Sequence, residues 1–275
     1  MMYLDFYGLR ENPFNVTSDP NFLYFGKTHK DALSHLLYGI NERKGFIEVT
    51  GEVGTGKTTI CKAMLNQLEN TTKTAFILNS NLSGTELLEA ILEDYGLTAT
   101  RKTKISLMRQ LNTFLLEELR KSSNVVLVLD EAQNMKASTL EEIRLLSNLE
   151  TDKEKLFQII LVGQPELRRK LDSAALRQLR QRIGVRFRIN PLEADEIDKY
   201  IDHRLRVAGS DGSIRFDGEA LEKIFRYSNG IPRLINLVCD KALLFGYVLE
   251  TRAVRGDVID KSILEIEGKI AELQV

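Results

Sequence analysis

The eight residues GEVGTGKT, Gly51–Thr58, are the stretch of this 275-residue chain whose spacing most narrowly dictates a chemistry. They satisfy G-x-x-x-x-G-K-[ST], in which each position has a physical use. Glycines at 51, 54 and 56 let a loop wrap closely, so that the backbone N–H groups of Glu52, Val53, Gly54, Thr55 and Gly56 can point at phosphate oxygens. A helix opening near Lys57 adds the partial positive charge of its N-terminus beside Thr58 and Thr59. Lys57 is placed to reach β- and γ-phosphates, and Thr58 to offer its hydroxyl to Mg²⁺. The implied ligands are ATP and Mg²⁺.

A second acidic element should end another buried strand, and VVLVLDEAQ supplies it. Asp130 follows five apolar residues and is the second candidate Mg²⁺ ligand. Glu131 comes next, placed to polarise an attacking water as general base. An acidic helix cap is the plainer alternative for this pair.

These groups need a frame, and the hydrophobic pattern provides one. Short apolar runs alternate with helical spacing: GFIEVT, KTAFILN, NVVLVLD, LFQIILVG and GVRFRI. Such alternation implies crossover connections and a parallel sheet covered on both faces. A helix is expected over 29–42, where Ala32, Leu33, Leu36, Leu37 and Ile40 recur at helical spacing and His29 and His35 look like ordinary members. After Pro191 the chain reads as helices only, at about 193–208, 217–228, 231–250 and 257–271. The opening 28 residues are rich in aromatics without regular period, which suggests a segment strapped over the main body. The expected domains are therefore an aromatic strap at 1–28, an α/β domain at 29–191 and a small all-helical domain at 192–275.

Composition narrows the surroundings. A net charge of −1 gives no global attraction to nucleic acid or to anionic membranes. Cys61 and Cys239 have no metal-like spacing, and the three histidines, His203 included, form no ligand pattern. No apolar run approaches the roughly 20 residues that cross a bilayer. The start carries acids and prolines where a signal peptide would be basic and then apolar. A reducing, cytoplasmic setting is expected, with any membrane contact made through a partner.

A phosphate loop, an acidic strand end and a trailing helical domain together resemble the AAA+ ATPases. The resemblance implies an α/β P-loop NTPase fold, with a parallel sheet sandwiched by helices and followed by a small helical lid. It implies a polar sensor at Gln164, ending LFQIILVGQ, and a second sensor at Arg233, in NGIPRLIN, reaching back to the nucleotide. The stretches YLDFYGLRENPFNVTSDPNFLYFGKTHKDALSHLLYGI, VGQPEL and GIPRLINLVCDKAL narrow it to the general secretion pathway protein A family. That implies a protein partner in a secretion or envelope complex. Longer members continue into a transmembrane helix and a periplasmic domain, and neither lies within these 275 residues.

LRQLRQRIGVRFRIN, at 176–190, holds five arginines and no acid. ATPases of this class share active sites between subunits, and a neighbour's arginine stabilises charge on the transferring phosphoryl group. That implies a homo-oligomer, ring or dimer. LRQRIGV resembles the stretch in which the clamp-loader and Holliday-junction-motor branches carry this residue, just before the last strand of the sheet, which implies Arg182 as the first candidate and Arg180 as the second, with Arg177 behind them. Arg186 and Arg188 share one face of a strand, and if that strand lies at an edge their charge blocks edge-to-edge pairing. The competing reading is a DNA-associated ATPase similar to transposition helpers, in which Arg168, Arg169 and Lys170 extend the run into a phosphate-binding patch. A nucleotide-gated scaffold that hydrolyses very slowly is a third.

Overall fold

The computed structural model describes residues 2–78, 82–99, 101–147 and 155–269. Its contacts divide the chain into two compact units, one of Lys30–Gly51 with Ile60–Ile189 and one of the remainder.

The first unit is built on a five-stranded sheet in the order β2-β3-β4-β1-β5. Its strands are β1 (Phe46–Gly51), β2 (Lys73–Ile77), β3 (Val125–Leu129), β4 (Gln158–Gly163) and β5 (Ile183–Ile189). Every pairing is parallel. The central strands β1, β3 and β4 are buried at every residue, while β2 and β5 at the two edges are buried only in part. That is why VVLVL and QIILVG are almost unbroken apolar runs while VRFRI alternates. GVRFRI lies at one edge, where the charge of Arg186 and Arg188 can block edge-to-edge pairing.

The chain enters the sheet next to one edge and crosses to the other through α3 (Lys57–Leu65). It then returns strand by strand through α4 (Gly84–Asp94), α5 (Lys104–Arg120) and α6 (Ala137–Leu146). Last, α7 (Pro165–Leu171) and α8 (Arg177–Arg182) carry it past β1 to β5. One sheet face packs Phe46, Leu127, Ile159 and Leu161 against Leu88, Leu111, Leu140 and Leu167 of these helices. On the other, α2 (Lys27–Asn41) comes so close that a Cβ on Gly39 would sit 2.6 Å from Ile47 Cδ1.

The second unit contains the helices after Pro191: α9 (Ile197–Val207), α10 (Gly218–Ser228), α11 (Pro232–Val248) and α12 (Gly256–Ile266). The expectation of helices alone needs one correction. A two-residue parallel pair, β6 (Arg215–Phe216) with β7 (Ala253–Val254), ties the segments that precede α10 and α12. Part of the last expected helix, 270–271, falls outside the described residues.

The opening segment forms a short helix, α1 (Met2–Tyr7), and a 3₁₀ turn at Pro20–Phe22. Leu4, Tyr7, Leu9, Phe14 and Phe22 join Ile201, Ile235, Cys239 and Leu243 in one core. Arg204, almost wholly buried in α9, fixes the segment further: its guanidinium donates to the carbonyls of Pro13 at 2.5 Å and Asn15 at 3.1 Å. The aromatic strap is thus part of the helical unit's own core. Glu52–Thr59, the phosphate loop, groups with it as well.

Candidate functional site

The phosphate loop folds around one carbonyl. Glu52 O accepts from Thr55 N at 3.3 Å, Thr55 Oγ1 at 2.9 Å and Lys57 Nζ at 2.9 Å. Gly54 and Gly56 hold φ of +81° and +91°, the left-handed region that glycine enters without steric cost. Each is also needed for space. A Cβ on Gly54 would lie 2.6 Å from Arg233 Cβ, and one on Gly56 would lie 3.3 Å from His29 Nε2. The loop is a closely wrapped backbone cradle of the kind phosphate oxygens occupy.

Two side chains bring other parts of the same unit to the loop. Arg233 sits in the first turn of α11, and its backbone N–H donates to Gly54 O at 3.2 Å. The turn that delivers it is tight: Asn229 and Gly230 have φ of 48° and 74°, and a Cβ on Gly230 would come within 2.0 Å of Leu192 O. His29 lies in α2 as expected, but it is not an ordinary member of that helix. It is 2% exposed, its Nε2 is 2.9 Å from Thr55 O, and its Nδ1 is buried without a hydrogen-bond partner. The neutral tautomer with Nε2–H donating satisfies this arrangement.

Burial holds the His29 imidazole below its ordinary pKa, opposed by the Thr55 carbonyl and by Glu196. The unfolded chain therefore takes up the proton first, and stability falls as pH drops below about 6.5 toward the depressed folded value. His203, lowered first by burial and then by Arg204, adds to the same trend. Replacing His29 with Gln keeps a donor and removes the titration. In melting-temperature profiles between pH 7.5 and 5, His29→Gln should lose less stability on acidification than the wild type. His29→Ala should be less stable throughout, by about 1–3 kcal/mol for the loop carbonyl left unsatisfied.

The acidic groups belong to the sheet unit. Registers Leu129↔Leu161 and Thr50↔Gly163 set the ends of β3, β4 and β1 along one carboxyl edge of the sheet, where α/β folds bind ligands. Asp130, 1% exposed, accepts the Glu131 N–H at 2.8 Å on its own Oδ1. Glu131 adopts φ 53° and ψ 33° ahead of a 3₁₀ turn at Ala132–Asn134. Left-handed backbone at a residue other than glycine costs of order 1–3 kcal/mol and persists only where the surroundings enforce it. Gln164, in the N-cap position of α7, donates from Nε2 to Glu131 Oε2 at 3.4 Å. Asp130, Glu131 and Gln164 are therefore brought together, as their positions at strand ends led one to expect.

Gln133 was part of the quoted motif without an assigned part. Its Nε2 donates to Glu131 Oε2 at 2.5 Å, and its Oε1 accepts the Gln164 N–H at 3.1 Å. A glutamine two residues after an acid carries no sequence signal for such a bridge, because the second contact depends on a strand 31 residues away.

The arginine run is not without acids once folded. Glu48 lies in the middle of β1, fully buried, with Arg186 Nε at 3.4 Å and Arg168 Nε at 4.0 Å. Burial raises its pKa, opposed by Arg186 and then Arg168. Asp172 stands 3.5 Å from Arg186 and 3.8 Å from Arg180. Arg182 donates to Ser147 Oγ at 2.7 Å and Arg144 O at 3.3 Å, which closes the C-terminal end of α6. Arg169 pairs with Glu166, and Lys170 donates to the carbonyls of Gln133 and Met135. Much of the basic patch is thus engaged inside its own unit. Arg182 immediately precedes β5, whose first residue pairs with Phe46 at the amino end of β1. The seven residues of β5 span roughly 20 Å, so Arg182 stands at the sheet edge opposite Asp130 and Gln164.

An AAA domain model matches residues 40–171. General secretion pathway protein A of Aeromonas hydrophila is 43% identical over 269 residues, which cover 97% of this chain and 49% of that protein. The chain belongs to the AAA+ proteins related to general secretion pathway protein A. It spans about half the length of that curated relative. The AAA+ fold is also that of ORC2 from Aeropyrum pernix, solved with ADPNP and ADP, at a TM-score of 0.69 and 17% identity over 93% of this chain and 71% of that one. Cdc6p of Pyrobaculum aerophilum aligns at a TM-score of 0.67 and 18% identity, covering 90% and 70%. The Holliday junction motor RuvB of Thermotoga maritima aligns at 0.55 and 17%, covering 88% and 69%. The expected class, a P-loop NTPase with a parallel sheet between helices and a helical C-terminal part, is borne out. Among the described residues of this AAA+ chain, no helix is long and apolar enough to cross a membrane.

Proposed function

We propose that this AAA+ protein binds ATP with Mg²⁺, hydrolyses it, and works as an oligomeric switch in a secretion or envelope-export assembly. The observation that carries hydrolysis is Glu131, held in a strained turn at the end of β3 with its carboxylate joined to Gln164. A carboxylate held beside Gln164 at the end of β3 suits a general base for an attacking water. The loop Gly51–Thr59 takes the phosphates through its N–H groups, and the Lys57 ammonium shifts from the Glu52 carbonyl to a phosphate oxygen. Thr58 and Asp130 would each offer Mg²⁺ a hard oxygen donor of the kind it takes alongside phosphates and water. Bound Mg²⁺ offsets charge developing on the phosphate oxygens. Glu131 takes the proton of the attacking water, Gln164 senses the γ-phosphate, and Arg233 answers the nucleotide from α11.

A second subunit supplies the remaining positive charge. Arg182 stood first among the candidates, but its guanidinium already holds the end of α6. Arg180, 42% exposed and beside the half-exposed Asp172, is better placed to leave its own subunit. The secretion setting rests on the relative's name and on 43% identity across nearly the whole chain. Work at the cytoplasmic face of the inner membrane, through a protein partner, fits that setting. A DNA-stimulated ATPase is the weaker reading, since so many cations of 168–188 are already engaged.

Phosphate release from ATP that requires both Mg²⁺ and Lys57 tests the proposal. Turnover that survives Lys57→Ala would show that this loop is not the one at work.

A further inference from the structure

We propose that Gln133 is a positioning residue for hydrolysis: its carboxamide aims the carboxylate of Glu131 at the water and ties that carboxylate to the end of β4. The inference rests on the reading of Glu131 as general base and adds to it a residue to which no part has been given.

The carboxamide has two ends, and each meets a different strand end. Its Nε2 donates to Glu131 Oε2 at 2.5 Å. Its Oε1 accepts the backbone N–H of Gln164 at 3.1 Å. Gln164 Nε2 closes the triangle on the same Glu131 oxygen at 3.4 Å. With Oε2 carrying both amides, the orientation of the carboxylate is fixed and Oε1 is the oxygen that takes the proton.

The seat of Gln133 is itself built. Lys170, from α7, donates to the main-chain carbonyl of Gln133 and, at 2.8 Å, to that of Met135, pinning the 3₁₀ turn from beneath. Gly163 leaves room for the carboxamide, since a Cβ there would lie 2.7 Å from Gln133 Oε1 as well as 2.9 Å from Leu167 Cδ2. Glutamine is the residue this place requires, because one end must donate and the other accept. Glutamate has the same shape but offers no donor, and it would set a second carboxylate against Glu131.

The arrangement makes hydrolysis sensitive to the end of β4. A shift of Gln164 on meeting the γ-phosphate moves both amides that hold Glu131, so the base is aligned by the group that it helps to remove. General-base catalysis contributes about 10²–10⁴-fold, and misplacement by about 1 Å forfeits much of such a gain.

The test is steady-state hydrolysis by the full chain with Mg²⁺, alongside equilibrium ATP binding and melting temperature, for Gln133→Ala, Gln133→Glu and Glu131→Gln. Gln133→Ala and Gln133→Glu should each lower kcat by roughly ten- to a hundredfold, with KM and ATP affinity within about twofold of wild type. A space-filling role predicts that the isosteric Gln133→Glu hydrolyses normally, and that result would overturn the proposal. So would a parallel loss of ATP affinity or of folding in both Gln133 variants, which would mark a general structural part. If Glu131→Gln turns over at the wild-type rate, the assignment of the base is wrong and this inference goes with it. That outcome differs from loss of activity in Glu131→Gln with none in the Gln133 variants, which refutes Gln133 alone.

Discussion

Replacing Glu131 with glutamine should leave ATP bound and slow its hydrolysis by about 10²–10⁴-fold. The substitution keeps the shape of the side chain and an oxygen for the Gln133 and Gln164 amides, and it removes the proton acceptor. Binding should hardly change, because the phosphates are taken by the loop's backbone N–H groups and by Lys57, and the substitution alters neither. ATP-bound Glu131→Gln should accumulate, and where nucleotide strengthens subunit association it should elute larger than the wild type under the same Mg·ATP conditions. Wild-type turnover in Glu131→Gln would remove the acid from the mechanism. Loss of binding together with turnover would make it a structural residue.

The second large effect concerns the arginines. An arginine supplied from a neighbour is worth about 10³–10⁵ in rate. Arg180→Ala should therefore be almost inactive alone, as should Lys57→Ala, for different reasons. Mixed, they should recover part of the wild-type rate, since an intact loop in one subunit can meet an intact Arg180 from the other. Arg182→Ala put through the same mixing decides between the two candidates. It should instead lower the melting temperature, because it removes the guanidinium that ties the Ser147 hydroxyl and the Arg144 carbonyl at the end of α6 to the chain before β5. Rescue by Arg182→Ala but not by Arg180→Ala would reverse the assignment. Absence of rescue by either, with activity per subunit constant on dilution, would contradict shared sites altogether.

The sequence was informative where spacing is local. GEVGTGKT specifies its own turn because the donors to the Glu52 carbonyl lie within six residues of it, and VVLVLDE marks a buried strand and its acidic tip because burial on both faces demands an unbroken apolar run. The sheet was legible for the same reason. What stayed hidden depends on long-range packing. The β6–β7 pair is two residues long on each side and has no period to detect. The aromatics of the opening segment serve the core of the C-terminal helices, which is visible only once Arg204 is seen gripping Pro13 and Asn15. Glu48 interrupts a strand with a charge whose partner, Arg186, is 138 positions away in sequence and adjacent in the sheet. His29 reads as an ordinary helix residue, and Gln133 gives no signal at all, because the groups they hold, Thr55 O and Gln164 N–H, come from other segments.

The central claim is that Gly51–Thr59 and Glu131 make this chain a Mg²⁺-dependent ATPase. It is tested most directly by phosphate release measured on one preparation of wild type and of Lys57→Ala, each with Mg²⁺ and with excess chelator. The account predicts turnover by the wild type with Mg²⁺, none above background with chelator, and none from Lys57→Ala under either condition. Equal phosphate release from wild type and Lys57→Ala, or none from the wild type at any protein concentration, would contradict it.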